Sequence, residues 1–231
     1  MTLREKQKKQ NRKVRACRRM HKALPSIVDR ANRQLDQKTI TCRKACAAAV
    51  SMMLQTMARV GNEKSVEEHE TFGVTTLHTN HVTVQGDCIT LSFTGKAGVP
   101  WHKSFCDAKL AEVLRELLSS PLENRVFWYN ENGNRVLLTD ADIRNWLGSF
   151  KVCPKDIRTY TANLLMYEEL NRRQAEGLAK SKARKQVSEA FEVVAERLGH
   201  LPSTCRANYV FPEVWEHYVE TGGQVAEPVF L

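Results

Sequence analysis

FEVVAERLGHLPSTCRANYVFP, residues 191–212, reads as a helix, a stop, a short second helix and a tyrosine. Val187, Phe191, Val194 and Leu198 recur at i, i+4, i+7 and i+11 and so line one apolar face of a helix. Gly199 supplies the stop, and Pro202 follows soon after it. His200 lies just beyond the stop, and Tyr209 comes nine residues later. Taken singly, each is ordinary: a polar loop histidine and a half-buried tyrosine with one polar end. Their meaning depends on the residues upstream.

A chain of 231 residues can bury a real core and fits one large domain or two small ones. It contains no run of 18 apolar residues, which argues against a membrane span. The basic N-terminus is followed by no apolar segment and so is not a secretory signal. The net charge is +9, and its placement is more informative than its size. Residues 1–22 hold ten Lys or Arg and the single acid Glu5, while the remaining 25 basic and 25 acidic residues cancel. A basic arm on a neutral body suits a polyanion partner. The seven cysteines form no CxxC pair and match no zinc spacing. Cys42 and Cys46 stand one helical turn apart, but no His or second Cys pair lies near them. All seven read as reduced thiols of an intracellular protein.

From the N-terminus, the basic arm is helical or disordered. Leu24, Ile27, Val28, Ala31 and Leu35 then fit a helix with Pro25 in its first turn. A second helix spans about 41–58 with a stripe of Cys, Ala, Val and Met. It ends at Arg59, and Gly61 can close it. Residues 63–70 form an acidic turn, and Gly73-Val74-Thr75-Thr76-Leu77 leads into β structure. Val82–Val84 and Cys88–Phe93 read as strands around Gln85-Gly86-Asp87, with Ile89, Leu91 and Phe93 on the buried side. A hairpin to Val99–Phe105 follows, with Lys96 at its tip between Gly95 and Gly98. Asp107 caps the next helix, residues 125–129 form a short strand, and Thr139 with Asp142 makes a capping box. A helix begins near Pro154 and carries Lys155, Ile157 and Arg158. Asn171–Lys185 reads as a basic, mobile connector to the helix of the opening stretch. Val214, Trp215 and Tyr218 suggest a last short helix, with a tail from Thr221-Gly222-Gly223.

Phosphoryl transfer needs positioning, a nucleophile, charge stabilisation on the non-bridging oxygens and an acid for the leaving group. Two arginines, a lysine, a histidine and a tyrosine supply all of these without a metal. Tyrosine, with a pKa of about 10, needs surrounding positive charge to act as nucleophile. Four segments carry such a set in order: ARVGNEKSVEEHETFGVTTL at 58–77, FTGKAGV at 93–99, KDIRTYTAN at 155–163 and LGHLPSTCRANY at 198–209. Together they resemble the type IB DNA topoisomerases of the small poxvirus and bacterial branch, over roughly residues 40–220.

The resemblance implies a role for each matching residue. Tyr209 attacks the phosphorus and holds DNA as a 3′-phosphotyrosine. Arg59 and Arg158 clamp the non-bridging oxygens. Lys96 is the general acid for the leaving oxygen, His200 hydrogen-bonds a phosphate oxygen, and Lys155 is a DNA-binding residue and a secondary candidate for supporting leaving-group protonation. No cofactor, ATP or metal is implied. The expected partner is double-stranded DNA, bound by a monomer with no membrane role. The expected setting is intracellular: cytoplasm or nucleoid in a bacterium, virion or virus factory for a virus. The fold implied is α+β, the mostly helical topoisomerase IB and tyrosine recombinase type, with a small antiparallel β-sheet. Its expected parts are a basic arm (1–22), a catalytic domain (23–222) and a C-terminal tail (223–231). The relatives implied by this resemblance carry an N-terminal β-rich clamp domain, so the expectation is either a catalytic-domain fragment or an arm that takes the clamp's place. Weaker, more distributive and more salt-sensitive DNA binding is therefore expected.

A site-specific tyrosine recombinase shares the fold and the LGH-to-Tyr spacing. Recombinases usually carry His-x-x-Arg where this chain has Lys155-Asp156-Ile157-Arg158, which favours the topoisomerase reading. A non-enzymatic DNA-binding protein is the rival of another class, and the intact set of five argues against it. His69 and Ser65 depart from family residues, often Asn and Tyr, and bear on DNA contact rather than on the catalytic set.

Overall fold

Helix α1 runs unbroken over Leu3–Leu35 in the computed structural model, which describes residues 2–228 and 230–231. The sequence suggested an arm and then a helix with Pro25 in its first turn. Instead Pro25 lies inside one long helix. The apolar period explains the continuation: Cys17, Met20, Ile27, Ala31 and Leu35 are all buried along it. Their burial outweighs the hydrogen bond lost at the proline. Val28, expected on this face, is exposed.

The chain divides into two compact units: residues up to 22 with those from 155 onward, and residues 23–154. In the second of these, helix α2 (Cys42–Thr56) starts at Thr41, whose hydroxyl accepts the Lys44 N–H. It stops at Met57, which takes the left-handed conformation (φ 60°), and not at Gly61. Gly61 is committed elsewhere, in close approach to Gly73. Helix α3 (Glu63–His69) is capped by Asn62, whose Oδ1 accepts the Ser65 N–H at 2.9 Å. The segment expected to enter β structure forms a single 3₁₀ turn, Val74–Thr76, instead.

Strands β1 (Val82–Gln85), β2 (Cys88–Thr94) and β3 (Pro100–Cys106) form an antiparallel sheet in that order. Ile89, Leu91 and Phe93 turn inward as the alternation predicts. Thr94 pairs with Pro100 and closes the turn that carries Lys96. At the other end Cys88 pairs with Cys106, and the two are joined by a disulfide. The reading of seven reduced thiols therefore fails at this pair. Two cysteines 18 residues apart show no motif, and only the strand register brings them face to face.

Helix α4 (Ala108–Ser119) is capped by Asp107 and buries Leu110, Val113, Leu114 and Leu117. Strands β4 (Trp128–Glu131) and β5 (Asn134–Leu137) make a second hairpin around Asn132-Gly133. The sequence predicts a strand at 125–129, ended by Asn130-Glu131; β4 instead starts at Trp128 and runs through those two residues, and β5 is not expected from the sequence. Helix α5 (Asp140–Gly148) begins with the expected Thr139–Asp142 box.

The other unit holds helix α6 (Pro154–Arg172), helix α7 (Lys180–Leu198), helix α8 (Pro202–Asn208) and helix α9 (Pro212–Glu220). The long basic connector is not present. Lys180, Lys182, Arg184 and Lys185 lie on the exposed side of α7 because Ala183 and Val187 face inward. Only residues 173–179 link the helices. They are held by the Leu178 N–H on the Gly222 carbonyl (2.8 Å) and the Ala175 N–H on the Gly223 carbonyl (3.2 Å). Phe230 is buried, with its ring near those of Tyr160 and Phe211. The architecture is α+β and mostly helical with small antiparallel sheets, as the sequence predicts.

Candidate active site

Arg158, His200 and Tyr209 meet in one unit. Val187, Phe191, Val194 and Leu198 bury α7 up to its last turn, and Gly199 (φ 61°) reverses the chain there. His200 is thereby set at the stop, its N–H 2.9 Å from the Ala195 carbonyl. Arg158, on α6, is 3% exposed. Its Nη2 donates to the carbonyl of Leu198 at 2.7 Å, an acceptor that the end of α7 leaves open. The same nitrogen lies 2.8 Å from His200 Nε2. A guanidinium can only donate, so Nε2 is the acceptor in this contact. The His200 and Tyr209 rings are 4.6 Å apart, and the Arg158 Cζ stands 5.7 Å from the centre of the tyrosine ring. A buried cation and an imidazole therefore flank a phenol, the setting that can activate a tyrosine and stabilise a phosphoryl group.

The backbone around the tyrosine is tightly held. Tyr209 closes α8, its N–H 3.0 Å from the Cys205 carbonyl. Asn163, fully buried on α6, then clamps both sides of it. Its Nδ2 donates to the Tyr209 carbonyl at 2.9 Å and to the Thr159 carbonyl at 2.7 Å. Its Oδ1 accepts the Phe211 N–H at 2.7 Å. Sequence reading missed this residue. Its one available signal was its place at the end of the matching segment 155–163. Cys205 packs behind as a neutral thiol, pushed up to about 11 by burial.

Arg59 and Lys96 belong to the other unit. Arg59 is half-buried, in the extended stretch after α2. Its carbonyl accepts the Val74 N–H at 2.8 Å, and the Val60 carbonyl accepts both the N–H and the hydroxyl of Thr75. Gly73 makes this pairing possible. A Cβ there would stand 2.5 Å from Gly61 Cα and 2.7 Å from the Arg59 oxygen. Lys96 is exposed at the tip of the β2–β3 hairpin, in the 3₁₀ turn Lys96–Gly98. The hairpin's neck is fixed by stacked Phe93 and Trp101 (5.9 Å) and by the Phe72 N–H on the Thr94 carbonyl (2.8 Å). Lys155 is exposed in the first turn of α6. Among the described residues, no three His, Cys, Asp or Glu are grouped to hold a metal ion.

Comparison with known proteins adds a family. Residues 2–226 match the profile described as eukaryotic DNA topoisomerase I, catalytic core. The chain is 27% identical over 186 residues to the DNA topoisomerase 1B of Acanthamoeba polyphaga mimivirus, covering 73% of this chain and 54% of that protein. It is 30% identical over 178 residues to the DNA topoisomerase I of monkeypox virus, covering 73% of this chain and 52% of that protein. The DNA topoisomerase 1B of vaccinia virus, strain Copenhagen, matches to the same extent. The chain thus spans about half the length of these relatives. Among solved structures, the site-specific recombinase XerH in its post-cleavage complex with a palindromic difH substrate superposes with a TM-score of 0.49 at 16% identity. That match covers 80% of this chain and 47% of the recombinase.

Proposed function

Because the chain belongs to the family of the DNA topoisomerase I catalytic core, we propose that it relaxes supercoiled double-stranded DNA. It does so by transient cleavage of one strand. The Tyr209 hydroxyl gives its proton to solvent water as its oxygen attacks the phosphorus. A bond forms between that oxygen and phosphorus as the bond to the 5′ oxygen breaks. The strand is held as a 3′-phosphotyrosine, and the freed 5′ oxygen leaves as a hydroxyl, with its proton supplied by Lys96. Arg158 and Arg59 hold the non-bridging oxygens as charge builds on them, and His200 hydrogen-bonds one of them. Lys155 is a secondary contact to the DNA. After rotation the 5′ hydroxyl attacks the phosphotyrosine, and the same bonds exchange in reverse. The energy of the phosphodiester is kept throughout, so the cycle consumes no nucleotide.

The observation that supports this reading is the meeting of the buried Arg158 cation and His200 with the Tyr209 ring. His200 Nε2 lies 2.8 Å from Arg158 Nη2, within reach of the same phosphate oxygens. Most contacts are to phosphates, which position the duplex without reading sequence. We further take the protein to act as a monomer inside the cell or virus factory.

The test is relaxation of negatively supercoiled plasmid in EDTA without ATP, wild type beside Tyr209→Phe. The wild type should give a ladder of relaxed topoisomers. Tyr209→Phe should bind DNA and form no covalent adduct. An adduct that survives the substitution means the nucleophile is another residue. Binding without any relaxation by the wild type removes the proposed activity.

A further inference from the structure

The N-terminal basic segment is a docked helix, and it is docked beside Tyr209. Cys17 and Met20 are buried at 0% and 1% exposure. Burial pushes the Cys17 thiol up to about 12, so it packs as an uncharged group. His21 Nδ1 lies 3.1 Å from the hydroxyl of Tyr160 on α6. Two further side chains of α1 reach the segment that carries Tyr209. Lys13 Nζ donates to the Asn208 carbonyl at 3.0 Å. Gln10 Nε2 donates to Glu213 Oε2 at 2.9 Å. Asn208 is the last residue of α8 and directly precedes Tyr209, while Glu213 lies in the first turn of α9. The two contacts therefore bracket Tyr209, Val210 and Phe211.

The chemistry suits this task. A helix of seven residues leaves a large share of its carbonyls unpartnered at its end, and a cation there also complements the helix dipole. Arg4, Lys8, Arg12 and Arg15 are exposed on the same helix, whereas Lys13 is half-buried. One cation is thus turned toward the protein while its neighbours face outward to meet a polyanion.

We infer that α1 braces the nucleophile, with Lys13 and Gln10 as positioning residues that hold α8 and α9 so that Tyr209 stays in line with the scissile phosphate. The inference rests on Tyr209 being the nucleophile. It gives the basic segment a role in the rate of cleavage, beyond its contribution to DNA affinity.

The test is single-turnover formation of the covalent adduct on a suicide duplex at saturating DNA, with binding measured separately. Lys13→Met should lower the saturated rate about threefold to tenfold, the effect of losing a charged contact to a helix end. Its dissociation constant for DNA should stay within about twofold of the wild type. Lys13→Arg should restore the rate to within about twofold, since a guanidinium can donate to the same carbonyl. Gln10→Ala should also slow the saturated step, and it keeps the test open should Lys13→Met fail to fold. If the substitutions weaken binding but leave the saturated rate at the wild-type value, Lys13 is a phosphate contact and the brace is overturned. If the wild type binds the duplex and forms no adduct, the nucleophile assignment itself has failed, and the brace falls with it.

Discussion

Asn163 uses both ends of its amide on the backbone around Tyr209, and both ends are buried. Asn163→Ala leaves the Phe211 N–H and the Tyr209 carbonyl without these partners inside the protein. We expect a loss of about 2–4 kcal/mol in urea denaturation together with slower adduct formation. A loss under about 0.5 kcal/mol would show that the clamp does not hold the turn in solution. Single residues were unequally legible in the sequence. Tyr209 and His200 were visible because they follow a helix stop whose spacing is local. Asn163 was not, because an asparagine in a helix looks the same whether it faces water or three backbone groups. Arg158 was visible as a charge, but its pairing with Leu198 and His200 was not.

Two elements set where the cations of the second unit stand. The stretch after α2 that carries Arg59 is paired to Val74 and Thr75 through the contact of Gly61 with Gly73. Gly73→Ala must push this backbone apart, since a Cβ meets main-chain atoms at 2.5 and 2.7 Å. We expect destabilisation of about 1–3 kcal/mol, and slower cleavage than Gly148→Ala, where an added Cβ meets nothing within 4 Å and the backbone is helical. Equal effects of the two substitutions would remove the argument.

The hairpin carrying Lys96 is backed by Phe72, His78 and His81, with the two imidazoles stacked 5.3 Å apart. Burial holds both histidines below their usual 6.5, helped at His78 by Arg125 and at His81 by His78. The unfolded chain therefore takes up protons near pH 6.5 that the folded hairpin resists. Stability from these groups is fully present above about pH 6.5 and is lost as pH falls through their lowered values. The urea midpoint should drop between about pH 7.5 and 5.5, and drop less in His78→Gln/His81→Gln. An equal drop in both proteins would place the effect elsewhere.

At the scale of the whole molecule, the cysteines give the most direct check of the tertiary structure. Cys17, Cys46 and Cys205 are buried, their thiols raised chiefly by burial, while Cys153 is exposed. A thiol reagent should label Cys153 first in the native protein. After denaturation it should find five thiols without reductant and seven with it. Seven without reductant would mean that Cys88 and Cys106 are not joined in solution. The same division runs through the rest of the protein. Helix caps, apolar periods and turns act over a few residues, so the sequence alone determined α2, α4, α5, α6 and the C-terminal part of α7, the Lys96 hairpin and the order of the candidate side chains. Matching segments in that order determined the family resemblance. The tertiary structure decided the rest: the meeting of Arg158 with His200 and Tyr209, the Cys88–Cys106 pairing, and the docking of α1 beside Tyr209. Those contacts join residues far apart in the chain. Their energy comes from burial and hydrogen bonds that exist only once the elements have packed, and no local pattern records them.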